Sequence, residues 1–361
     1  MKVNGHAYRS LWTDGPRGPV HIIDQTRLPH AFETRRLDSP EAVAEAIRAM
    51  RVRGAPLIGV AGAFGLALAM ERDASDASLA AHAAQLAATR PTAVNLAWAL
   101  DQLTATLQPL PPEARAAAAW RAAQALADDD VAINEAIGRH GVGLFRDLHT
   151  RLKRTVNVLT HCNAGWIATV DWGTALSPIY QAHDAGLPVH VWVDETRPRN
   201  QGLLTAWELA SHGVPHTLVA DNAGGHLMQH GQVDLVIVGA DRVTRHGDVC
   251  NKIGTYLKAL AARDNGVPFY VAVPTPTFDW QVDDALAQIP IEERAGDEVR
   301  VIRGLGADGR PGSIEIAAES TRVANPAFDV TPAALVTGIL TERGLYAASE
   351  PALAALRPGQ A

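Results

Sequence analysis

The sequence predicts an α/β chain in two parts: a small N-terminal part of short strands plus helices, then a larger part with a mainly parallel sheet. Three observations carry this. After about residue 150, five short apolar runs alternate with segments of helical period. The runs are continuous rather than alternating, the pattern of strands covered on both faces. Before that point the chain is Ala-rich and helical in period back to about residue 39, and its first 24 residues hold short β-branched stretches between turn residues. At 361 residues the chain exceeds one ordinary core. It divides in this reading into 1–148, a helical domain with a small sheet; 149–345, the parallel-sheet domain; and 346–361, a tail.

The elements follow in order. "VHIID" reads as a strand. Ser39-Pro40-Glu41 is a helix start, with a capping hydroxyl, proline in the first turn and then an acid. "APLIGVAGAFGLALAM", Ala55 to Met70, is apolar but holds three glycines and one proline, which suits a buried helix better than a membrane span. "LQPLPPEAR" separates two further helices. The later strands are "TVNVLTHC", "PVHVWVDE", "PHTLVAD", "DLVIVGAD" and "PFYVAVP". Helical segments lie between them, several ending in glycine as helix stops do.

Composition excludes some function classes. Hydrophobic residues make up 47% and charged residues 20%, and net charge is −7. That is no footprint for nucleic acid. Asp128-Asp129-Asp130 reads as capping or solvating a helix end. The N-terminus has no signal-peptide core. Two cysteines without CxxC spacing make no disulfide framework, so a reducing cytoplasm is the simplest compartment.

In parallel sheets, ligands bind beyond the carboxyl ends of the strands. Those ends carry Cys162, Asp194-Glu195, Asp221 and Asp241. For Asp221 and Glu195, capping of the next helix is an equal reading. Cys162 is either a small buried hydrophobe or a thiol whose pKa is lowered by the N–H groups of a following helix. Cys250 falls in a polar loop and is the weaker candidate. Asp241, at the end of an apolar strand, is expected to have a raised pKa and to hold a proton. A thiolate and a protonated carboxyl in one pocket make a base and an acid.

Phosphate-binding features accompany them. Arg53-Gly54-Ala55 precedes Pro56 at the start of the apolar helix. Arg90 precedes another proline-started helix, and Asn251-Lys252 opens a third. Cationic helix starts suit an anionic small molecule, such as a phosphate ester. "GLGADG", Gly304 to Gly309, fits G-x-G-x-x-G but is followed by Arg-Pro-Gly, so it reads as a loop and not a dinucleotide site. His226 and His230 lack a third metal ligand and read as solvent-facing.

Taken in order, "RVRGAPLIG", "RPTAVNLAWAL", "THCNAG" with "GTAL", "DETRPRNQG…TAWEL", "VDLVIVGADRVTRHGDVCNKIGTYLKALAA" and "VPFYVAVPTPTFDW" resemble the methylthioribose-1-phosphate isomerases. The likeness covers roughly residues 18 to 345. The wider group includes regulatory subunits of a translation initiation exchange factor and ribose-1,5-bisphosphate isomerases. The resemblance implies a Rossmann-like C-terminal domain, a homodimer, and conversion of 5-methylthioribose 1-phosphate to 5-methylthioribulose 1-phosphate in methionine salvage. It places the catalytic cysteine on Cys162 and the catalytic aspartate on Asp241. Substrate-binding positions fall on Arg53, Gly54, Ala55, Arg90, Gln201, Asn251 and Lys252. Two other readings stand beside this one: an isomerase of 5-deoxyribose 1-phosphate or another pentose 1-phosphate, and a non-catalytic regulatory protein on the same fold.

The substrate so implied has a phosphorylated anomeric oxygen, so its ring must open with the phosphate attached. Asp241 is expected to protonate the ring oxygen and Cys162 to move hydrogen from C2 to C1, with a direct hydride shift as the other route. Neither route calls for a metal or a nicotinamide, and no nucleic-acid or membrane partner is expected.

Overall fold

The structure, a computed structural model, describes residues 1–90, 94–357 and 359. After a short antiparallel hairpin of Lys2–Val3 with His6–Ala7 comes a three-stranded antiparallel sheet: β1 (Leu11–Thr13), β2 (Val20–Ile23) and β3 (Thr34–Leu37). Helix α1 (Pro40–Arg48) starts as its sequence demands, with Ser39 Oγ accepting from the Ala42 N–H at 3.0 Å. Helix α2 (Ala55–Arg72) is apolar all round and forms the centre of the N-terminal core. It is long and apolar enough to cross a membrane, yet 83% of it is buried inside the protein. Helices α3 (Asp76–Ala87) and α4 (Val94–Leu107) pack around it.

Helix α5 (Pro112–Leu152) runs for 41 residues, past position 148. Its first half packs on α2, with Trp120 against Phe64, and its second half sends Ile137 and Phe145 into the core beside the parallel sheet. The acidic triplet, expected at a helix end, lies in the middle of α5. Asp128 pairs with Arg9 at 2.7 Å, while Asp130 is buried and accepts from the Val170 N–H at 2.6 Å. A helix that continues through the triplet turns one of the three acids inward, where a loop N–H needs an acceptor.

The larger sheet is built from β4 (Val156–Thr160), β5 (Val189–Asp194), β6 (His216–Val219), β7 (Leu235–Val238), β10 (Phe269–Ala272), β15 (Gly338–Thr341) and β16 (Gly344–Tyr346). Its spatial order is β16-β15-β10-β7-β4-β5-β6. All neighbours are parallel except β16, which turns back on β15. The connecting helices are α6 (Ser177–Asp184), α7 (Gln201–His212), α8 (Ala223–Gln229) and α9 (Thr255–Asp264). The continuous apolar runs are explained by burial on both faces. Val158, Val191, Leu235 and Ile237 enter one core, and Leu159, Val236, Val238 and Val271 enter the other. From β6 through to β15 the strands follow the doubly wound order. The chain direction across the sheet reverses between β4 and β7, which is where such sheets bind ligands.

A second sheet was not anticipated. It joins β11 (Phe278–Asp279), β8 (Arg242–Thr244), β9 (Val249–Lys252) and β14 (Phe328–Thr331) in that order. Two expectations are corrected here. Asn251-Lys252 does not open a helix: both residues lie on β9, and α9 begins only after Gly254 turns the chain at φ +102°. Cys250 is not in a polar loop but buried on β9. The cause is pairing of β9 with the distant β14, a partner that local pattern does not reveal. "GLGADG" forms the turn of a hairpin between β12 (Val301–Leu305) and β13 (Pro311–Glu315), so no helix follows it. After Tyr346 the chain continues through a short helix and a 3-10 turn that bury Leu353 and Leu356.

Candidate active site

Cys162 follows β4 and Asp241 follows β7, so the two stand on either side of the reversal point. One cavity there is lined by both, and also by Arg53, Gly54, Ala55, Arg90, Gln201, Asn251 and Lys252. All nine residues named from the sequence meet in one place. Six pieces of chain bring them: the start of α2, the turn after α3, the ends of β4 and β7, the start of α7, and β9.

The backbone of Cys162 sits at φ +68°, a left-handed conformation that costs a non-glycine residue about 1–2 kcal/mol. Two threonines hold it there. The Cys162 N–H donates to Thr196 Oγ1 at 2.9 Å, and Thr205 Oγ1 donates to the Cys162 carbonyl at 2.8 Å. No regular helix follows the cysteine, only the 3-10 turn Trp166–Ala168. The expected lowering of the thiol pKa by a helix start is therefore overturned. Burial pushes the Cys162 thiol up, and Arg53 and Lys252 pull against it. Burial also pushes the Asp241 carboxyl above its ordinary value, opposed by Lys252, Arg90 and Arg53. That direction matches an acid that keeps its proton.

Arg53 is buried and does not point freely at a ligand. Its Nη1 donates to Asn163 Oδ1 and its Nη2 to the Asn163 carbonyl, each at 2.7 Å. Its charge is thus fixed beside the thiol. Gly54, at φ +99°, lets the chain pass against Ala168. Arg90 has a buried Nε with no hydrogen-bond partner among the described residues, and its nearest acid, Glu292, is 3.7 Å away. Pro91, expected to open the next helix, lies outside the described residues. Lys252 is buried over the Phe328 ring, 4.6 Å from its centroid, and burial lowers its pKa. Asn251 donates to Thr255 Oγ1 at 3.0 Å. Gln201 is buried with its amide oxygen unpaired among the described residues. A cavity lined by Arg53, Arg90, Arg242 and Lys252, with that unpaired Arg90 N–H and the first turn of α2, is built for an anion.

Two supporting groups do not read as such from the sequence, although Asp194 is among the strand-end acids. Glu208 on α7 is fully buried and accepts from Asn163 Nδ2 at 2.8 Å, Trp166 N at 2.8 Å, Ile167 N at 3.3 Å and Tyr180 Oη at 2.9 Å. It clamps the loop after Cys162 and, through Asn163, holds Arg53. Burial pushes its carboxyl up to about 7. Its only sequence signal is the spacing Thr205-x-x-Glu208, which puts both on one helix face. The second group is His161, Asp194 and Lys258. Asp194 is fully buried and meets Lys258 Nζ at 2.9 Å and His161 Nδ1 at 3.3 Å, while His161 Nε2 lies 2.9 Å from the Ile253 carbonyl. His161, Asp194 and Asp221 bring ligand atoms within 4.8 Å of one another, but the cation facing them is the Lys258 ammonium. Asp221 itself caps the turn after β5, accepting from the Thr196 and Arg197 N–H groups at 2.8 Å. His226 and His230 are exposed, as expected.

Comparison with known proteins gives the family. Residues 51–348 match the Initiation factor 2 subunit family. A curated methylthioribose-1-phosphate isomerase of Acidiphilium cryptum is 62% identical, with 100% of this chain and 99% of that protein aligned. One of Methylobacterium nodulans is 63% identical over 99% and 98%. The chain belongs to the Initiation factor 2 subunit family, in its methylthioribose-1-phosphate isomerase branch. Among solved structures, the 5-methylthioribose 1-phosphate isomerase of Pyrococcus horikoshii is 38% identical with a TM-score of 0.83, covering 99% of both chains. The delta subunit of translation initiation factor eIF-2B from A. fulgidus is 40% identical with a TM-score of 0.77, covering 94% of this chain and 96% of that one. Members of this family thus carry both enzyme and initiation-factor names on one fold.

Proposed function

We propose that this chain isomerises 5-methylthioribose 1-phosphate to 5-methylthioribulose 1-phosphate, an aldose–ketose conversion in methionine salvage. The observation that carries it is the pairing of Cys162 with Asp241 across the reversal point of the sheet, in a cavity that also holds Arg53, Arg90 and Lys252. A regulatory subunit has no use for that set.

The phosphate sits among Arg90, Lys252 and the first turn of α2. Asp241, protonated, gives its proton to the ring oxygen as the C1–O bond breaks. Cys162, as thiolate, takes the C2 proton, leaving an enol phosphate, and returns that proton to C1. Asp241, now a carboxylate, takes the proton of the 2-hydroxyl as the C2 ketone forms. Hydrogen and charge then balance, and both groups end as they began. Arg53 and Lys252 favour the thiolate at the moment it is needed, offsetting the burial that otherwise keeps the thiol neutral. The chain acts in the cytoplasm as a homodimer. An exposed apolar stripe on α9, with Tyr256, Leu257 and Leu260 at 37%, 61% and 39% exposure, supports a self-association face.

Cys162→Ser and Asp241→Asn are each expected to lose at least about a hundredfold in kcat, the order of acid–base contributions, with an unchanged circular dichroism spectrum. Full activity in both variants would refute the assignment.

A further inference from the structure

The catalytic cavity, of about 90 Å³, adjoins a second chamber of about 1050 Å³. The two share Met50, Arg53 and Gln201. The chamber is bounded on one side by the N-terminal part, on another by the start of α7, and on a third by the β12–β13 hairpin. Three features say what it holds.

The first is charge. Arg90 and Lys252 line only the inner cavity. The outer chamber has six arginines in its wall: carboxylates neutralise four of them, Arg53 is tied to Asn163, and Arg303 is exposed on the hairpin. Arg27 pairs with Glu33 at 3.0 Å, Arg51 with Asp24 at 2.8 Å, Arg35 with the same Asp24, and Arg199 with Glu298 at 2.6 Å. Glu298 is held down to about 2 by Arg294 and Arg199 despite its burial. A ligand's phosphate therefore goes inward and not outward.

The second is a pair of unpaired amide oxygens at the chamber wall. Gln25 and Gln201 are 4% and 5% exposed, and neither Oε1 has a hydrogen-bond partner among the described residues. The Gln25 amide has a defined orientation, because its Nε2 donates to the Ile167 carbonyl at 2.6 Å. Buried acceptors of this kind call for donors, and sugar hydroxyls are donors.

The third is the rest of the wall. Leu28, Pro29, Leu203, Leu204, Ile302 and Leu305 present apolar surface beyond those amides.

We propose that the pentose straddles the join between the two spaces, with its 5-substituent in the outer chamber. The substrate class is then ribose 1-phosphates with neutral, apolar 5-substituents, including groups much larger than methylthio. This rests on the isomerase reading above.

The test measures kcat/KM for ribose 1-phosphates bearing 5-methylthio, 5-propylthio and 5-benzylthio groups, and for ribose 1,5-bisphosphate. The three thioethers are expected to stay within about tenfold of one another, since each added apolar group finds room and surface. The bisphosphate is expected to be the poorest of the four. Loss of more than about a hundredfold on going from methylthio to benzylthio, or a preference for the bisphosphate, would overturn the proposal. Leu203→Trp and, on the 49% exposed hairpin position, Leu305→Trp fill the chamber from two sides. Each should lower the benzylthio rate constant at least about tenfold more than the methylthio one. An unchanged ratio in both variants counts against the chamber as the site. A chain that turns over none of the four substrates sinks the isomerase reading, and this inference with it. Turnover of the methylthio compound alone sinks only this inference.

Discussion

Replacing Gly54 by alanine tests how the active site is built. Gly54 sits at φ +99°, a conformation that costs an L-residue about 1–2 kcal/mol. An added Cβ would lie 2.3 Å from the Ala168 carbonyl oxygen, 2.5 Å from its Cα and 2.7 Å from its carbonyl carbon. All three are backbone atoms, so no side-chain rotation relieves the clash and the chain itself must shift. Overpacking of that kind costs about a further 1–3 kcal/mol. The expected loss is about 2–5 kcal/mol, a large share of the stability of an ordinary domain. The shift is also functional, because Ala168 ends the turn that Glu208 grips through the Trp166 and Ile167 N–H groups, and Arg53 is the preceding residue. Urea unfolding followed by circular dichroism gives the first quantity, and kcat/KM on methylthioribose 1-phosphate gives the second. A loss below about 0.5 kcal/mol, the range of an ordinary surface substitution, together with near wild-type turnover, would refute the reasoning.

Glu208→Gln places an amide N–H₂ among four donors, so kcat should fall while the fold persists, and Glu208→Asp should recover part of it; equal activity in all three proteins would show that the clamp is not needed. Lys258→Met leaves the buried Asp194 carboxylate without its ammonium and should cost about 3–5 kcal/mol in urea unfolding; a cost under about 1 kcal/mol would mean that the pair is not coupled as its 2.9 Å separation implies. Asp130 and Glu208 are both pushed up to about 7 by burial. Between their ordinary values and that pH the folded state binds more protons than the unfolded state, so their contribution to stability is full at low pH and is lost as pH rises to about 7. For Asp130 the loss is up to about 4 kcal/mol, and Asp130→Asn, whose oxygen still accepts from Val170, should flatten the fall in stability from pH 5 to 8. An unchanged slope would count against a buried, neutralised Asp130.

The sequence by itself determined the parts whose cause is local. A doubly covered strand must be apolar throughout, so "TVNVLT" and "DLVIVG" announced a parallel sheet. Such a sheet opens at its strand ends, so Cys162 and Asp241 were legible as candidates. Ser39 and Pro40 were legible as a helix start because capping chemistry spans four residues. Only the tertiary structure decided what depends on distant partners. Pairing of β9 with β14 turned Asn251-Lys252 from a helix start into a strand and buried Cys250. Enclosure by several chain segments, with no helix at its foot, raised the thiol pKa instead of lowering it. The Glu208 clamp and the Asp194–Lys258 pair join residues 28 or more positions apart through single hydrogen bonds or ion pairs. Such contacts leave no periodic mark in a sequence, because any buried acid needs partners and the chain does not say beforehand which will arrive.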